Sequence, residues 1–548
     1  MNATFLLHDL PLYSASDHPI RAALSFGEHS LSYGDLAADI HAVASGLIAL
    51  GTARGERVAV YLEKRFETVI ASFGATAAGC VFVPLNPLLK PEQVGYILRD
   101  CNVRVLVTSP ERLAPLAQTL RGCQDLRQVV VTRGTATEYD PAEVSVLGWD
   151  EILAAPSHAG HRVIDTDMAA ILYTSGSTGK PKGVVLSHRN MVAGAKSVAS
   201  YLDNHPDDVL LAALPLSFDA GFSQLTTAFH AGAEVTLINY LLPKDVLNAV
   251  VKQRITGLTA VPPLWIQLSQ LKWPETVTEH LRYIANTGGR MPLATLNVLR
   301  GMLPKTKPFL MYGLTEAFRS TYLPPEEIDR RPDSIGTAIP NAEILVLRED
   351  GTSCEPNEPG ELVHRGALVG MGYWNDAEKT AERYKPLPGR EQGLVIPELA
   401  VFSGDTVRRD AEGFLYFIGR RDEMIKTSGY RVSPTEIEEV LYATSLVGEV
   451  AAFGVPNATL GQAIVVIATP KDGVTLSPDV LLAACREQLP AYMQPGEIDI
   501  REGPLPRNPN GKIDRKLLSE EFLRGDAARM TPATEPATTH NWRRVNTT

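Results

Sequence analysis

Cysteine and long hydrophobic runs are both scarce in this chain of 548 residues. It has five cysteines, and no two of them form a Cys-x-x-Cys pair, so neither a disulfide framework nor a zinc site is indicated. No apolar run approaches the ~18 residues that a membrane helix needs. The first residues carry Asp9 and no Lys or Arg, unlike a secretory signal. We therefore expect reduced thiols, a cytoplasmic location and no insertion into a membrane.

Positive charge is also in deficit. Lys and Arg number 52 against 63 Asp and Glu, a formal net charge of −11, which argues against nucleic acid as the main partner. With 44% hydrophobic and 21% charged residues, the composition is that of a soluble globular protein. The length exceeds what one core usually holds, so at least two domains are expected.

A short apolar run, 169–173, leads into a loop rich in glycines and hydroxyls. Glycines let backbone N–H groups converge on an anion, and the hydroxyls and lysines add donors and charge. Pro181 after the first Lys forbids the helix that follows the common triphosphatase loop. A flexible surface linker is the alternative to a phosphate-binding loop. The loop comprises Thr174, Ser175, Gly176, Ser177, Thr178, Gly179, Lys180, Pro181, Lys182 and Gly183.

Asp219 lies inside an apolar, glycine-containing run, 214–224. A buried carboxylate is costly unless it is paired. The spacing leaves three possibilities open: a helix cap, an internally paired aspartate, or a carboxylate that meets an ammonium group of a substrate.

Four further stretches carry residues that are suited to binding or catalysis. In 308–316, a strand runs into a turn where Tyr312 offers a face to a purine, Thr315 a hydroxyl to a phosphate and Glu316 an oxygen to Mg²⁺. In 284–290, a glycine turn lets a flat ring approach the backbone. Asp405 can accept two hydroxyl donors. Taken alone, 312–316 and Asp405 are equally compatible with ordinary turns. Lys512, in a turn rich in Pro, Asn and Gly, is equally compatible with a lysine that is merely exposed to solvent.

Taken together and in this order, these stretches resemble the AMP-forming adenylating enzymes, the superfamily of acyl-CoA synthetases, peptide-synthetase adenylation domains and luciferases. The resemblance covers roughly residues 8–524. It implies binding of ATP and Mg²⁺, with Mg²⁺ on Glu316, and catalysis by Lys512, Glu316 and Thr315. It implies that ATP is bound by Thr174, Ser175, Gly176, Ser177, Thr178, Gly179, Lys182, Gly288, Gly289, Arg290, Tyr312, Asp405 and Arg420. Arg290 stands where the family often has a small residue, so its role is open.

The same resemblance assigns the acyl substrate and the second half-reaction. The substrate is expected to contact Phe218, Asp219, Ser223, Ala260, Met311 and Arg319. Peptide-synthetase adenylation domains place an Asp like Asp219 on the substrate's α-amino group. Arg319 suits a small polar substrate or points away from the pocket. Asp422 matches the pivot of the family's hinge, and Gly429 lies in the loop that guides the thiol.

Strands that alternate with helical patterns predict an α/β fold with parallel sheets. We expect a large N-terminal domain at 1–421 that includes a small β-subdomain at about 341–420. A small α+β domain at 422–524, carrying Lys512, follows a hinge, and 525–548 is expected to be a disordered tail. A monomer or a homodimer is expected.

These features predict a ligase that joins a carboxylate to a thiol through an acyl-AMP. The resemblance is closest to stand-alone amino-acid:carrier-protein ligases of the prolyl type. The first hypothesis is therefore activation of a small amino acid such as L-proline, followed by transfer to the phosphopantetheine thiol of a carrier protein. The alternatives are an acyl-CoA synthetase, with CoA as acceptor, and a non-catalytic nucleotide-binding protein.

Overall fold

The computed structural model describes residues 4–133, 144–174, 181–388, 397–421, 423–427, 430–457, 460–509 and 511–530. Up to the predicted phosphate loop, the elements are α1 (Asp9–Asp17), β1 (Ala22–Phe26), β2 (His29–Ser32), α2 (Tyr33–Ala49), β3 (Arg57–Tyr61), α3 (Phe66–Ala77), β4 (Val81–Pro84), α4 (Pro91–Asp100), β5 (Val103–Thr108), α5 (Pro110–Leu120), β6 (Gln128–Val131), β7 (Ser145–Gly148), α6 (Trp149–Leu153) and β8 (Met168–Thr174).

After that loop the alternation of strand and helix continues. The elements are β9 (Lys182–Ser187), α7 (His188–Tyr201), β10 (Val209–Ala212), α8 (Asp219–Ala231), β11 (Glu234–Leu237), α9 (Pro243–Lys252), β12 (Gly257–Ala260), α10 (Pro262–Ser269), β13 (Tyr283–Asn286), α11 (Leu293–Met302), β14 (Lys307–Tyr312), β15 (Thr321–Leu323) and β16 (Thr337–Ala338).

Short strands dominate the next part of the chain, and an α+β pattern ends it. The elements are β17 (Ala342–Leu347), β18 (Gly360–Gly366), β19 (Gly372–Tyr373), α12 (Ala377–Arg383), β20 (Tyr384–Pro386), β21 (Leu399–Arg409), β22 (Leu415–Arg420), β23 (Ile425–Thr427), β24 (Tyr430–Val432), α13 (Pro434–Ala443), β25 (Val447–Asn457), β26 (Gly461–Pro470), α14 (Pro478–Gln488), β27 (Glu497–Ile500) and α15 (Arg515–Met530).

Two large sheets with mostly parallel centres form the N-terminal part. One has the order β16-β15-β14-β13-β12-β10-β11-β1-β2, in which the strands from β14 to β1 pair in parallel. The other has the order β19-β9-β8-β4-β3-β5-β6-β7 and is parallel from β8 to β7. The prediction of a parallel α/β fold is confirmed. The carboxyl ends of such strands are where ligands usually bind.

Buried aromatic rings join the two sheets through α8. Phe222 of α8 stacks on Phe82 of β4, with 4.7 Å between ring centroids, and on Phe73 of α3 at 5.6 Å. Offset-stacked aromatic pairs add about 0.5–1.5 kcal/mol beyond the area they bury. This packing fixes the helix whose first residue is Asp219.

The β-subdomain predicted at about 341–420 corresponds to antiparallel pairing among β17, β18, β21, β20 and β22. The C-terminal sheet has the order β24-β23-β26-β25, with β27 parallel to β26. The last helix continues to Met530, so the first residues of the predicted tail, 525–530, are helical. The rest of that tail, 531–548, lies outside the described residues.

All five cysteines lie in described ranges, where each is buried and unpaired. Within the described residues, no helix has the length and apolarity needed to cross a membrane.

Candidate active site

The predicted phosphate loop connects two antiparallel strands, β8 and β9. Thr174 and Lys182 face each other as register partners, and the Thr174 hydroxyl lies 3.5 Å from the Lys182 carbonyl oxygen. The two ends of the loop are therefore held together at the edge of the β8–β9 pair. Of its predicted ATP ligands, Ser175, Gly176, Ser177, Thr178 and Gly179 lie outside the described residues.

Glu316 lies in a single 3₁₀ turn that Thr315 opens just after β14. Its Oε1 accepts a hydrogen bond of 2.6 Å from the hydroxyl of Tyr373. The Lys182 ammonium lies 5.5 Å from the centroid of the same tyrosine ring. Tyr373 therefore links the predicted metal carboxylate to the predicted phosphate loop. It was not among the residues selected from the sequence.

The Glu316 carboxylate fits a magnesium ion that is shared with substrate phosphates. Mg²⁺ is usually bound by one or two protein carboxylates together with phosphate oxygens and water. A carboxylate has about four lone-pair sites, and the Tyr373 hydroxyl uses one of them on Oε1. When bound, the ion neutralises charge on the phosphates. The part of the site that belongs to the chain is an oriented carboxylate.

Tyr312 and Asp405 form the predicted nucleoside site. The Tyr312 hydroxyl donates to Asp405 Oδ2 at 2.5 Å. Asp405 on β21 and Arg420 on β22 are opposite each other in the register of the two antiparallel strands. Asp405 Oδ1 is buried and has no hydrogen-bond partner among the described residues. An unpartnered acceptor of this kind fits a ribose hydroxyl.

Burial raises the pKa of the Asp405 carboxyl, while Arg420 and the Tyr312 hydroxyl act in the opposite direction. The backbone beside it is also constrained. Gly404 has φ +71°, a value that favours glycine, and the guanidinium of Arg383 lies against it. Arg383 donates to the Phe402 carbonyl at 3.0 Å. Like Tyr373, Arg383 was not selected from the sequence as a site residue.

Asp219 is the first residue of α8 and is 3% exposed. Its Oδ1 has no hydrogen-bond partner, and no Lys or Arg nitrogen lies within 4.0 Å of the carboxylate in the ranges that the structure describes. Burial raises the pKa of Asp219, and Arg319 and Lys512 oppose that shift. Of the three possibilities left open by the spacing, the position at the start of α8 is compatible with a role at the helix end, where the Ala220 backbone also favours the carboxylate. A contact with a substrate ammonium stays a prediction. The helix start favours the charged form.

A small cavity lies beside the first turns of α8. The space open to the centre of a water-sized sphere is about 20 Å³, roughly what one water requires. Three predicted substrate residues line it: Ser223, Met311 and Arg319. The other three, Phe218, Asp219 and Ala260, are not among its lining residues. Ala260 ends β12, and its carbonyl accepts from the Trp265 indole at 3.1 Å.

Lys512 lies beside Phe218 and the glycine turn at Gly288. Its ammonium is 5.9 Å from the centroid of the Phe218 ring, and a Cβ added to Gly288 would lie 3.1 Å from Lys512 Cε. Burial lowers the pKa of Lys512, and Asp219 opposes that shift. The structure therefore brings Lys512, Phe218 and Gly288 together from two parts of the chain that are far apart in sequence.

The turn that carries Lys512 is held against the N-terminal part. Asn86, which follows β4, donates from Nδ2 to the Pro509 carbonyl at 2.7 Å. Within the turn, the Asn508 amide donates to the Lys512 carbonyl at 2.8 Å. Asn86 had not been selected from the sequence, where it is one polar residue between two prolines.

Arg290 lies beside the C-terminal part of the chain, while the Gly289 carbonyl accepts from Asn286 Nδ2 at 2.8 Å. Arg290 Nε is 3.9 Å from Glu439 Oε2 on α13, and the same glutamate accepts from the Leu293 amide at 3.0 Å. This contact gives Arg290 a position between the two parts of the chain, while its predicted ATP contact stays a prediction. Asp422 and Gly429, predicted for the hinge and the thiol step, lie outside the described residues.

Comparison with known protein families identifies the class of enzyme to which this layered α/β fold belongs. The AMP-binding enzyme model matches residues 13–374, and the model of the AMP-binding enzyme C-terminal domain matches residues 436–512. The chain belongs to the AMP-binding enzyme family.

Two relatives of different substrate class are similar over most of the chain. An L-proline–[L-prolyl-carrier protein] ligase of Streptomyces coelicolor is 33% identical over 528 residues, which are 93% of this chain and 95% of the relative. A long-chain-fatty-acid–CoA ligase of Escherichia coli O157:H7 is 30% identical over 507 residues, which are 86% of each chain.

Solved structures agree on the fold. The anthranilate CoA ligase AuaEII in complex with anthranoyl-AMP superimposes with a TM-score of 0.85 at 24% identity, covering 96% of this chain and 99% of that one. ATP-bound MatB from Rhodopseudomonas palustris gives 0.82 at 26% identity, covering 94% and 99%. The protein is an AMP-forming acid–thiol ligase that uses ATP and Mg²⁺, with a carrier protein or CoA supplying the thiol.

Proposed function

We propose that the carboxylate activated by this enzyme belongs to a small amino acid and that the acceptor is the phosphopantetheine thiol of a carrier protein. The observation that carries the proposal is the Asp219 carboxylate, which is buried beside the acyl cavity with Oδ1 unpartnered among the described residues. A substrate ammonium supplies the direct ion-pair partner that this carboxylate lacks among the described residues, where Arg319 and Lys512 act on it only from a distance.

The wall of the cavity supports a polar substrate. The Arg319 guanidinium lies in that wall, which is unfavourable for a long apolar tail because a buried charge is poorly tolerated in apolar surroundings. Similarity to an L-proline ligase over 93% of the chain makes L-proline the first amino acid to test.

The chain's own groups have separate tasks in adenylation. The Lys512 ammonium pairs with the attacking carboxylate and with the α-phosphate, so that repulsion between two anions is reduced. Asp405 binds the ribose hydroxyls, which positions the nucleotide for in-line attack. Glu316 would hold a magnesium ion, which would neutralise charge on the phosphates. No side-chain nucleophile takes part, because the substrate carboxylate itself attacks phosphorus and pyrophosphate leaves.

The second half-reaction requires different groups at the same place. A thiol displaces AMP from the acyl-AMP and forms the thioester. We propose that the C-terminal domain rotates about Asp422 between the two steps, so that the loop containing Gly429 replaces Lys512. The Asn86 bond to the Lys512 turn supports the proposal that this structure represents the arrangement for adenylation.

The test is ATP–pyrophosphate exchange with an amino acid and its deamino isostere, beginning with L-proline and cyclopentanecarboxylic acid. The wild-type enzyme is expected to exchange with the amino acid only. Asp219→Ala removes one member of a buried charge pair, a loss of about 2–5 kcal/mol, so exchange falls by about 30- to 4,000-fold. Asp245→Ala, which removes a first-turn aspartate from α9, is the matched control and keeps the wild-type rate.

The second candidate is an acyl-CoA synthetase, which similarity to the long-chain-fatty-acid–CoA ligase favours. Exchange with fatty or aryl acids but with no amino acid, unaffected by Asp219→Ala, would establish it in place of the first. The acceptor is tested separately. With the activated acid present and CoA saturating, hydroxylamine traps an adenylate under both proposals, but acyl-CoA accumulates only under the second.

A further inference from the structure

Arg319 lies inside the acyl cavity because of the backbone that precedes it. Phe318 has φ +55°, an uncommon value for a bulky residue, and its ring packs so closely on Gly194 of α7 that a Cβ there would overlap it. This turn directs Arg319 back into the molecule, where it is 3% exposed and lines the cavity. The guanidinium is thus positioned by packing on both sides.

The guanidinium has few partners for a buried cation. It carries five N–H donors, yet its best-defined bond is a long one, 3.3 Å from Nη1 to the Thr287 hydroxyl. Nε is buried and unpartnered, and in the described ranges no carboxylate oxygen lies within the 4.0 Å of an ion pair. A buried arginine without hydrogen-bond acceptors is strongly unfavourable. An acceptor from outside the chain would remove that penalty.

The cavity wall around Arg319 is polar on one part, and apolar side chains such as Leu210 and Leu211 form the rest. Gln224 Oε1 is also buried without a partner among the residues described, while its Nε2 donates to the Gly221 carbonyl at 3.0 Å. Ser223 and Thr227 face each other with 3.5 Å between their hydroxyl oxygens. Four polar side chains therefore converge on a space of about 20 Å³, which suits a single polar group better than an apolar one.

Charge balance links Arg319 to Asp219. In the substrate-free site, Arg319 favours the charged form of Asp219, and the two opposite charges partly compensate each other although no ion pair joins them among the described residues. Once a substrate ammonium neutralises Asp219, the guanidinium loses that compensation. It then needs an acceptor on the remaining part of the substrate.

We propose that the substrate is a small amino acid whose distal end carries an oxygen acceptor, a hydroxyl, amide carbonyl or carboxylate, and that Arg319 binds this group. The inference rests on the proposed activation of an amino acid and narrows it to one chemical class. L-Proline, which lacks such a group, is then a poorer substrate than its 4-hydroxylated analogue.

The experiment compares isosteric amino acids in ATP–pyrophosphate exchange: L-threonine with L-valine, L-aspartate with L-leucine, and trans-4-hydroxy-L-proline with L-proline. Sites built to bind a substrate hydroxyl reject the analogue without it by about 10⁴–10⁵-fold at best. We expect kcat/KM to favour the acceptor-bearing member of at least one pair by about 10²-fold or more. In Arg319→Met, a long uncharged replacement, the preference disappears or reverses. In Arg319→Gln, which keeps amide donors, part of it remains.

The outcomes separate this inference from the one on which it rests. If amino acids exchange but apolar members are equal or better, and Arg319→Met leaves the ratio unchanged, the inference is wrong and the ammonium site of Asp219 stands. If only acids without an amino group support exchange, and succinate is a better substrate than butyrate, the proposed role of Asp219 is wrong while the proposed role of Arg319 stands. The wild-type comparison decides even if both variants fail to fold.

Discussion

Replacing Tyr373 by Phe tests how the metal carboxylate is oriented. The change removes the hydroxyl that donates to Glu316 Oε1 at 2.6 Å. It keeps the ring, which packs edge to face on Tyr384 with 5.9 Å between centroids and lies 5.5 Å from the Lys182 ammonium. The perturbation is therefore one charge-assisted hydrogen bond, short enough to be among the strong ones.

The size of the effect follows from that bond. A hydrogen bond to a charged group contributes about 1.5–3 kcal/mol, which is about 10- to 150-fold in an equilibrium constant. Residues that orient metal ligands typically affect metal affinity by about 10–100-fold. We expect the free Mg²⁺ concentration for half-maximal ATP–pyrophosphate exchange to rise by about 10–100-fold, with most of the wild-type rate recovered at saturating Mg²⁺.

Tyr384→Phe is the matched control. It removes a neighbouring tyrosine hydroxyl whose contact to Glu316 is a long one, 3.5 Å to the backbone carbonyl, so its Mg²⁺ dependence stays close to that of the wild type. The reasoning is refuted if Tyr373→Phe leaves the Mg²⁺ dependence unchanged, or if both variants shift it equally.

Two further substitutions address the lysine turn and the ribose site. Asn86→Ala removes the 2.7 Å bond to the Pro509 carbonyl, worth about 0.5–1.5 kcal/mol. Adenylation slows by about 2- to 12-fold while thioester formation from added acyl-AMP keeps its rate; equal slowing of both steps would contradict a role in holding Lys512. Burial raises the pKa of Asp405 and the Tyr312 hydroxyl lowers it, so Tyr312→Phe raises it further. Because ribose binding needs the carboxylate, the acid limb of kcat/KM for ATP moves to higher pH, and an unmoved limb would contradict the assignment.

The order of strands and helices was predictable because it depends on local patterns. The apolar run before the phosphate loop is β8, and the stripe of apolar residues on α2, including Leu36, Ile40 and Leu47, is buried. Ser187 caps α7 by accepting from the Asn190 amide, a contact between residues three positions apart. Such signals act over a few residues, so one sequence is enough to read them.

Contacts between distant parts of the chain were not predictable. Tyr373 meets Glu316 across 57 residues, and Asn86 meets Pro509 across 423. No periodicity links such positions, since tertiary packing brings them together. Arg319 illustrates the same limit, because its direction depends on the left-handed backbone of Phe318.

Short motifs identified more of the site residues than composition did. Tyr312 and Asp405, assigned to a nucleoside from separate turns, form a hydrogen bond of 2.5 Å. The predicted domain boundary at 422, the pivot there and the loop at Gly429 stay predictions, since those positions fall outside the described residues.

The account depends most on the nature of the activated acid, and wild-type ATP–pyrophosphate exchange measures it directly. The panel consists of the amino acids, their deamino analogues, and short, long and aryl carboxylic acids, each with Mg²⁺ and ATP. We predict exchange confined to small amino acids, with none from a matched acid that lacks the ammonium group. Exchange with fatty or aryl acids alone would contradict the reading of Asp219, although the adenylating core would stand and CoA would become the expected acceptor.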